Sequence, residues 1–392
     1  MARRLLNAMA PFTNDPALYN ENDAPATFPV GTSFPLLTDA SAAPPSPFTR
    51  WMRTDDGGGS ISNEGKAFTA AAYFWQLVYI RIEGTLPNPM NQYAFSLSGM
   101  RLYITYVSSS TFNIRYLYGA VDVTGTTAFS TNTTYALRLE KTATTAKLWV
   151  NGALEINTAD AGAFPASATF GILPAASGVT FYSCGHVACD SASEADRPGT
   201  ASDCVFLAVE GEGVDQEYGD EQAGGCQTDN ALYTDVDLVS LQIDTASGYW
   251  CRGAFVKKQS AAVNTPSLTG SILGLVLLSA HKANTAAKGV DTYLRIVDGS
   301  DATKFQRVQN AALGSTNIRG KQAVFALAPD GGAWDSFNLA NLELGTDRTA
   351  TGAANHHCYA ICAEIWAIDD DPPATATAPR VGVAMTPGPM IF

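Results

Sequence analysis

TTYALRLEKTATTAKLWVNGALE, residues 133–155, is the stretch whose pattern decides the fold class. Tyr135, Leu137 and Leu139 alternate with Ala136, Arg138 and Glu140, and beyond a polar turn Leu148 and Val150 alternate with Lys147 and Trp149. Apolar residues at every second position line one side of an extended chain, whereas an amphipathic helix repeats them every three to four residues. Asn151-Gly152 follows, and both residues tolerate the positive φ that a tight primed hairpin turn demands. The stretch therefore predicts successive antiparallel strands.

The same period runs outward from it. In residues 73–82 (YFWQLVYIRI), Phe74, Val78, Ile80 and Ile82 share one face, while Tyr73, Trp75, Leu77, Tyr79 and Arg81 share the other. The first face reads as core and the second as aromatic and exposed. Leu102, Ile104 and Tyr106 alternate with Arg101, Tyr103 and Thr105, and Phe112, Ile114, Tyr116 and Tyr118 alternate with Asn113, Arg115 and Leu117. Residues 48–189 thus read as one β-sandwich. Residues 1–47 lack a period and are broken by Asn14-Asp15-Pro16, Asn22-Asp23-Ala24-Pro25 and Ala42-Ala43-Pro44-Pro45-Ser46-Pro47. Because proline withholds a ladder donor, this segment is expected to be an extended N-terminal arm lying along another surface.

Residues 190–203 (DSASEADRPGTASD) read as a linker. Strand-like runs then recur at 205–209, 236–243, 253–257, 272–279, 292–297, 323–327 and 359–368, predicting a second sandwich over 204–368. Residues 334–344 (WDSFNLANLEL) are the helical exception, with Asp335 as N-cap of a short helix carrying Phe337 and Leu342. Residues 369–392 form an irregular C-terminal tail. The expected fold class is all-β: two tandem antiparallel β-sandwiches of jelly-roll type between an arm and a tail.

Composition narrows the partners. Of 392 residues, 46% are hydrophobic, ample for two cores, and only 16% are charged, against roughly 25% in ordinary soluble domains. The formal net charge of −13 repels phosphate backbones and anionic lipid, so neither nucleic acid nor membrane is an expected partner. The apolar run at 271–280 (SILGLVLLSA) is shorter than the ~18 residues that span a bilayer. After Arg3 and Arg4, Asn7 interrupts the first apolar patch, leaving it below the about 7 to 15 residues of a secretory signal, and folding in a cytoplasm is expected. The 7 cysteines form an odd set, which reads as reduced, mostly buried thiols.

Two resemblances sit on residues already quoted. Residues 133–155, with a Tyr-x-Leu-x-Leu strand, a polar turn and an Ala-Lys-Leu-x-Val-Asn-Gly strand and hairpin, resemble the laminin G or concanavalin A-like jelly roll. That resemblance implies a fold and little chemistry. Ala328-Pro329-Asp330-Gly331-Gly332-Ala333-Trp334, leading through residues 339–345 to the late strand at 359–366, is similar to a β-sandwich module of tailed-bacteriophage virion structural proteins. It implies a non-enzymatic virion protein, tail- or fibre-associated or capsid-decorating, made in the host bacterial cytoplasm. Its partners would be other copies of itself, other virion proteins and, as a further candidate, a host-surface glycan. The alternative is a carbohydrate-binding adhesin or glycoside hydrolase, because jelly rolls of the concanavalin type host both.

Spacing limits the chemistry that the polar residues can carry. Residues 210–217 (EGEGVDQE) form the dense acidic cluster near a strand. They depart from the Glu-x-Asp-x-x-Glu pattern of one hydrolase group and read as a glycine-bearing turn, either a solvated acidic loop or a weak calcium site. Cys358 and Cys362 on an extended chain lie about 13 Å apart, too far to share a metal with His356 and His357. Cys184, His186, Cys189 and Cys204 have no Cys-x-x-Cys spacing. Ser279-Ala280-His281 brings a hydroxyl and an imidazole close in sequence, but no Gly-x-Ser-x-Gly elbow accompanies them and no nucleophile is assigned there. No catalytic residue, metal ligand or cofactor is assigned. Binding residues are: Tyr73, Trp75, Tyr79, Arg81 and Tyr103 are candidates to stack on sugar rings, or to meet a neighbouring subunit or the opposite sheet.

Overall fold

The computed structural model describes residues 2–7, 36–38, 41–45, 51–54, 62–67, 73–97, 100–162, 167–172, 178–191, 204–207, 209–216, 258–265, 271–283, 288–297, 303–313, 319–325, 327–348 and 356–367. In chain order the first strands are β1 (Ala2–Asn7), β2 (Leu36–Thr38), β3 (Trp51–Thr54), β4 (Ser62–Ala67), β5 (Tyr73–Gly84), β6 (Asn91–Leu97), β7 (Met100–Ser108) and β8 (Thr111–Tyr118). Next come β9 (Val121–Thr124), β10 (Phe129–Ser130), β11 (Thr134–Thr142), β12 (Thr145–Val150), β13 (Ala153–Ala159), β14 (Ser167–Ile172) and β15 (Val179–Ser191). There follow β16 (Cys204–Leu207), β17 (Val209–Gln216), β18 (Lys258–Val263), β19 (Ile272–Ala283), β20 (Lys288–Val297), β21 (Thr303–Leu313) and β22 (Arg319–Phe325). Helix α1 (Ser336–Ala340), β23 (Leu342–Arg348) and β24 (His356–Ala367) complete the order.

Four antiparallel sheets result. The first runs β13-β12-β11-β5-β15-β3-β2, with β1 also on β15, and the second runs β10-β8-β7-β6-β14-β4, with β9 on β8. The third is β16-β24-β19-β22 and the fourth β17-β18-β23-β20-β21. The chain is all-β, as its period implies. In the first pair of sheets β5 lies between β11 and β15, and β14 returns to β6; such long returns distinguish a jelly roll from a meander. Between these two sheets Phe74, Val78, Ile80, Ile82, Leu137, Leu139, Leu148 and Val150 meet Leu102, Ile104, Phe112, Ile114 and Tyr116 in one buried cluster. Each such side chain withdrawn from water contributes about 1.5 to 3 kcal/mol. Asn151 and Gly152 take φ of 49° and 79°, and Asn151 Oδ1 accepts the Ala136 N–H at 2.8 Å, fixing the hairpin.

In the later sheets Leu294, Ile296, Leu342 and Leu344 are buried in the fourth, and Leu273, Leu275, Leu277 and Ile365 in the third. The two sheets approach where β23 meets β24 and β19 meets β20. Among the described residues no strand of the first two sheets pairs with a strand of the last two, and no helix is long and apolar enough to cross a membrane.

Several expectations change in detail. The segment read as an extended arm lying along another surface supplies β1 and β2 to the first sheet, and Ser41 binds Glu83 on β5 through its backbone N–H at 3.0 Å. Leu36-Leu37-Thr38 is a strand too short for a period to register. β15 continues to Ser191, two residues into the stretch read as linker, and the run at 205–209 divides between β16 and β17. The runs at 236–243 and 253–257 and the tail at 369–392 lie outside the described residues. Asp335 does cap α1, its carboxylate accepting the Asn338 N–H at 2.8 Å. The helix buries Leu339, however, while Phe337 is 51% exposed and Leu342 opens β23. Residues two apart on a helix point about 200° apart, so a single short helix cannot bury both Phe337 and Leu339.

Candidate functional site

Four of the five candidate binding residues, Tyr73, Trp75, Tyr79 and Arg81, lie on the face of β5 turned away from the jelly-roll core. The register sets their neighbours: Trp75 opposes Glu140, which opposes Lys147, and Leu77 opposes Arg138, which opposes Trp149. Tyr79 lies between Ala136 and Cys184, and Arg81 between Thr134 and Tyr182. The expectation that this face is exposed is corrected, since Trp75, Tyr79 and Arg81 are 1%, 6% and 5% accessible. Alternation reports which way a side chain points, not what covers it, and β5 is an interior strand flanked on both sides. Tyr103 is elsewhere, on β7 of the second sheet, half-buried, with the Arg115 guanidinium 5.3 Å above its ring. Asp122 holds that guanidinium through hydrogen bonds of 2.6 and 2.5 Å.

The outer face of the first sheet joins aromatic rings to ion pairs. Tyr73 stacks on Trp75 with centroids 5.5 Å apart and planes at 17°. Arg138 lies over the Trp149 ring at 5.0 Å. Glu140 takes Arg138 at 3.6 Å and Lys147 at 3.8 Å. Arg81 donates to Glu83 at 2.5 Å and to Ser41 Oγ at 2.7 Å. Burial pushes the Glu83 carboxyl up, but the Ser41 hydroxyl and Arg81 outweigh it and hold the group below the usual carboxylate range. Trp51 edges onto Tyr182 at 6.2 Å and donates its indole N–H to the Ala42 carbonyl at 2.9 Å. The indole N–H groups of Trp75 and Trp149, equally buried, have no acceptor among the described residues. An orphaned donor of this kind costs about 1 to 3 kcal/mol.

Arg138, Glu140, Lys147 and Trp149 all belong to the stretch that decides the fold, where they read simply as the polar side of two strands. Their signal is composition: a solvated strand face rarely alternates tryptophan with paired charges.

A second polar cluster lies on the fourth sheet. Arg295 donates to Glu343 from Nε at 3.0 Å and from Nη2 at 2.5 Å, to Ser260 Oγ at 2.6 Å and to Asp215 at 2.6 Å. The Tyr293 hydroxyl donates to Asp215 at 2.9 Å. The acidic cluster read as a turn is therefore corrected: its residues 210–216 lie in β17. Where the β17–β18 ladder breaks between Glu212 and Gln216, side chains replace it, Glu343 accepting the Val214 N–H at 3.0 Å and Ser260 Oγ the Asp215 N–H at 3.1 Å. Gly213 and Gly345 make room, since a Cβ would lie 2.1 Å from Ser260 Oγ or from Tyr293 Cζ respectively. Asp215 is taken up by Arg295 and the Tyr293 hydroxyl, and Glu343 by Arg295, Ser260 and the Val214 N–H, so this cluster fastens an edge strand. Among the described residues no group of three or more His, Cys, Asp or Glu could hold a metal ion.

No family model matches the chain, and no curated protein matches it. Among solved structures it is similar to the cellulose-induced protein Cip1, at 16% identity over 45% of this chain and 93% of that one, with a TM-score of 0.33. A sialidase is matched at 10% identity over 47% of this chain and only 19% of its own, with a TM-score of 0.29. The PL7 alginate lyase AlyA1 from Zobellia galactanivorans is matched at 9% identity over 41% and 85%, also with a TM-score of 0.29. Likenesses this slight carry no argument, and the jelly-roll plan rests on the strand order above.

Proposed function

We propose that the chain is a carbohydrate-binding β-sandwich protein whose first sheet holds a glycan on its outer face without turning it over. The observation that supports this is the pair of acceptor-less indole N–H groups at Trp75 and Trp149, buried on a face outside the jelly-roll core. Buried polar groups are nearly always satisfied, so an orphaned pair beside stacked rings marks a place where a ligand supplies the acceptors. Sugars bring oxygen acceptors together with apolar C–H faces that lie on aromatic rings. Turnover is disfavoured by the state of the carboxylates. Glycoside hydrolysis needs two available carboxyl groups, whereas Glu83 is held by Arg81 and Ser41, and Glu140 by Arg138 and Lys147.

A glycan array probed with the full chain, alongside a reducing-end release screen on the same glycans, tests the reading. Binding without release is expected; release of product, or a blank array, overturns it. The phage particle expected from residues 328–345 enters as the setting in which such a face would meet a host-surface glycan beside other copies of the chain. Mass spectrometry of purified particles tests that setting, and absence of the chain from them removes it.

A further inference from the structure

We infer that Lys141 is a built-in counterpart of a bound monovalent cation: its ammonium fills a cation site made of backbone carbonyls, and that site takes a potassium or ammonium ion from solution once the lysine side chain is shortened. The inference is independent of the glycan reading. Nζ of Lys141, on β11, lies among four oxygens: the carbonyls of Asp160 at 2.8 Å, Thr142 at 2.9 Å and Gly162 at 3.2 Å, and Asp160 Oδ1 at 3.6 Å. The three carbonyls meet the three N–H donors of an ammonium, and the carboxylate faces it as an ion pair. Carbonyl oxygens so arranged replace the hydration shell of a potassium ion, which is close to ammonium in size. One carboxylate among the oxygens matches one positive charge, whereas calcium takes about 6 to 8 oxygens at roughly 2.3 to 2.6 Å.

The cradle is held by bonds that do not involve the lysine. Thr142 Oγ1 accepts the Thr145 N–H at 3.0 Å and fixes the β11–β12 turn. Asp160, just past β13, donates its backbone N–H to the Thr144 carbonyl at 2.8 Å and fastens its own segment to that turn. Asp160 Oδ1 accepts the Gly162 N–H and Oδ2 the Tyr116 hydroxyl, each at 2.8 Å. A Cβ at Gly162 would lie 2.9 Å from Asp160 Oδ1, so glycine there permits the close approach. The side chains of Lys141 and Asp160 are 0% and 1% exposed, but Gly162 is exposed and Thr142 half-buried, so an ion reaches the site from the turn.

Scanning calorimetry of the full chain carrying Lys141→Ala, in potassium, ammonium, calcium and choline chlorides of matched ionic strength, provides the test. Choline is too large to enter the site. The unfolding transition in potassium or ammonium is expected about 3 to 6 °C above that in choline once the ion is at about ten times its dissociation constant. The unsubstituted chain, and Lys141→Met, whose stem still fills the site, are expected to show no such difference. Adding Asp160→Asn to Lys141→Ala removes the anionic oxygen and should abolish the response. Where Lys141→Ala does not fold in choline, its recovery on refolding from urea in potassium reads the same response. Equal stability in every salt, failure to refold in every salt, a response of Lys141→Met or of the unsubstituted chain, or a larger gain in calcium than in potassium overturns the inference.

Discussion

Replacing Lys141 by methionine keeps the side-chain stem and removes the ammonium from the most enclosed charge in the first sandwich. Lys141 is 0% exposed on the core side of β11. Its Nζ donates to the carbonyls of Asp160 at 2.8 Å, Thr142 at 2.9 Å and Gly162 at 3.2 Å, and lies 3.6 Å from Asp160 Oδ1. Asp160 also accepts the Tyr116 hydroxyl at 2.8 Å and the Gly162 N–H at 2.8 Å. Burial pulls the lysine below its usual value, and Asp160 only partly restores it. Without the ammonium, three carbonyls lose their donor and a buried carboxylate is left with neutral donors alone. Breaking a buried pair from one side costs about 3 to 5 kcal/mol. At about 2 to 4 °C per kcal/mol for a body of 150 to 250 residues, the unfolding transition of this sandwich falls by about 6 to 20 °C in scanning calorimetry. Adding Asp160→Asn removes the stranded charge and recovers part of the loss, so the two substitutions combine to less than their sum. A loss below about 1 kcal/mol for Lys141→Met, or strictly additive losses, would refute the reasoning.

Three further outcomes are expected. Gly345→Ala brings a Cβ to 2.1 Å from Tyr293 Cζ, so the ring must shift and urea unfolding should show a loss of about 1 to 3 kcal/mol; unchanged stability would show that the ring has room. Asp335→Ala removes the N-cap of α1 and should cost about 0.5 to 2 kcal/mol in the same assay. Tyr116 is held far above the ordinary tyrosine value by burial and then by its bond to Asp160, and Tyr293 by burial and Asp215 against the opposing pull of Arg295. Above pH 10 the unfolded chain has lost both protons and the folded chain retains them, so stability should fall with rising pH by about 1.4 kcal/mol per unit for each tyrosine; phenolate absorbance before unfolding that is lost in Tyr116→Phe or Tyr293→Phe would contradict this.

Much of the jelly roll is legible because its alternation is clean. Phe74, Val78, Ile80 and Ile82 line the core side of β5 as their spacing implies, and Asn151-Gly152 turns where its backbone tolerance places it. The outer face is another matter. Tyr79 and Arg81 alternate just as residues of a solvated face would, and no period registers that Ser41, 40 residues away in sequence, meets the Arg81 guanidinium there. β17 was hidden for the opposite reason: the glycines of Glu210-Gly211-Glu212-Gly213 suggest a turn, yet Gly213 is small so that Ser260 and Glu343 can reach across. Lys141 could not be read as core from its type, because two of the three carbonyls that hold it, those of Asp160 and Gly162, come from residues about 20 positions away.

The binding face is tested most directly by the indole N–H signals of the ¹⁵N-labelled chain during titration with the glycan that the array identifies. The signals of Trp75 and Trp149, assigned through their phenylalanine variants, are expected to move downfield and to saturate together. Trp51, Trp334 and Trp366 already donate to Ala42, Phe325 and Glu364, so their signals should hold still. Stationary Trp75 and Trp149 signals with a glycan that binds would contradict the assignment of this face as the glycan site.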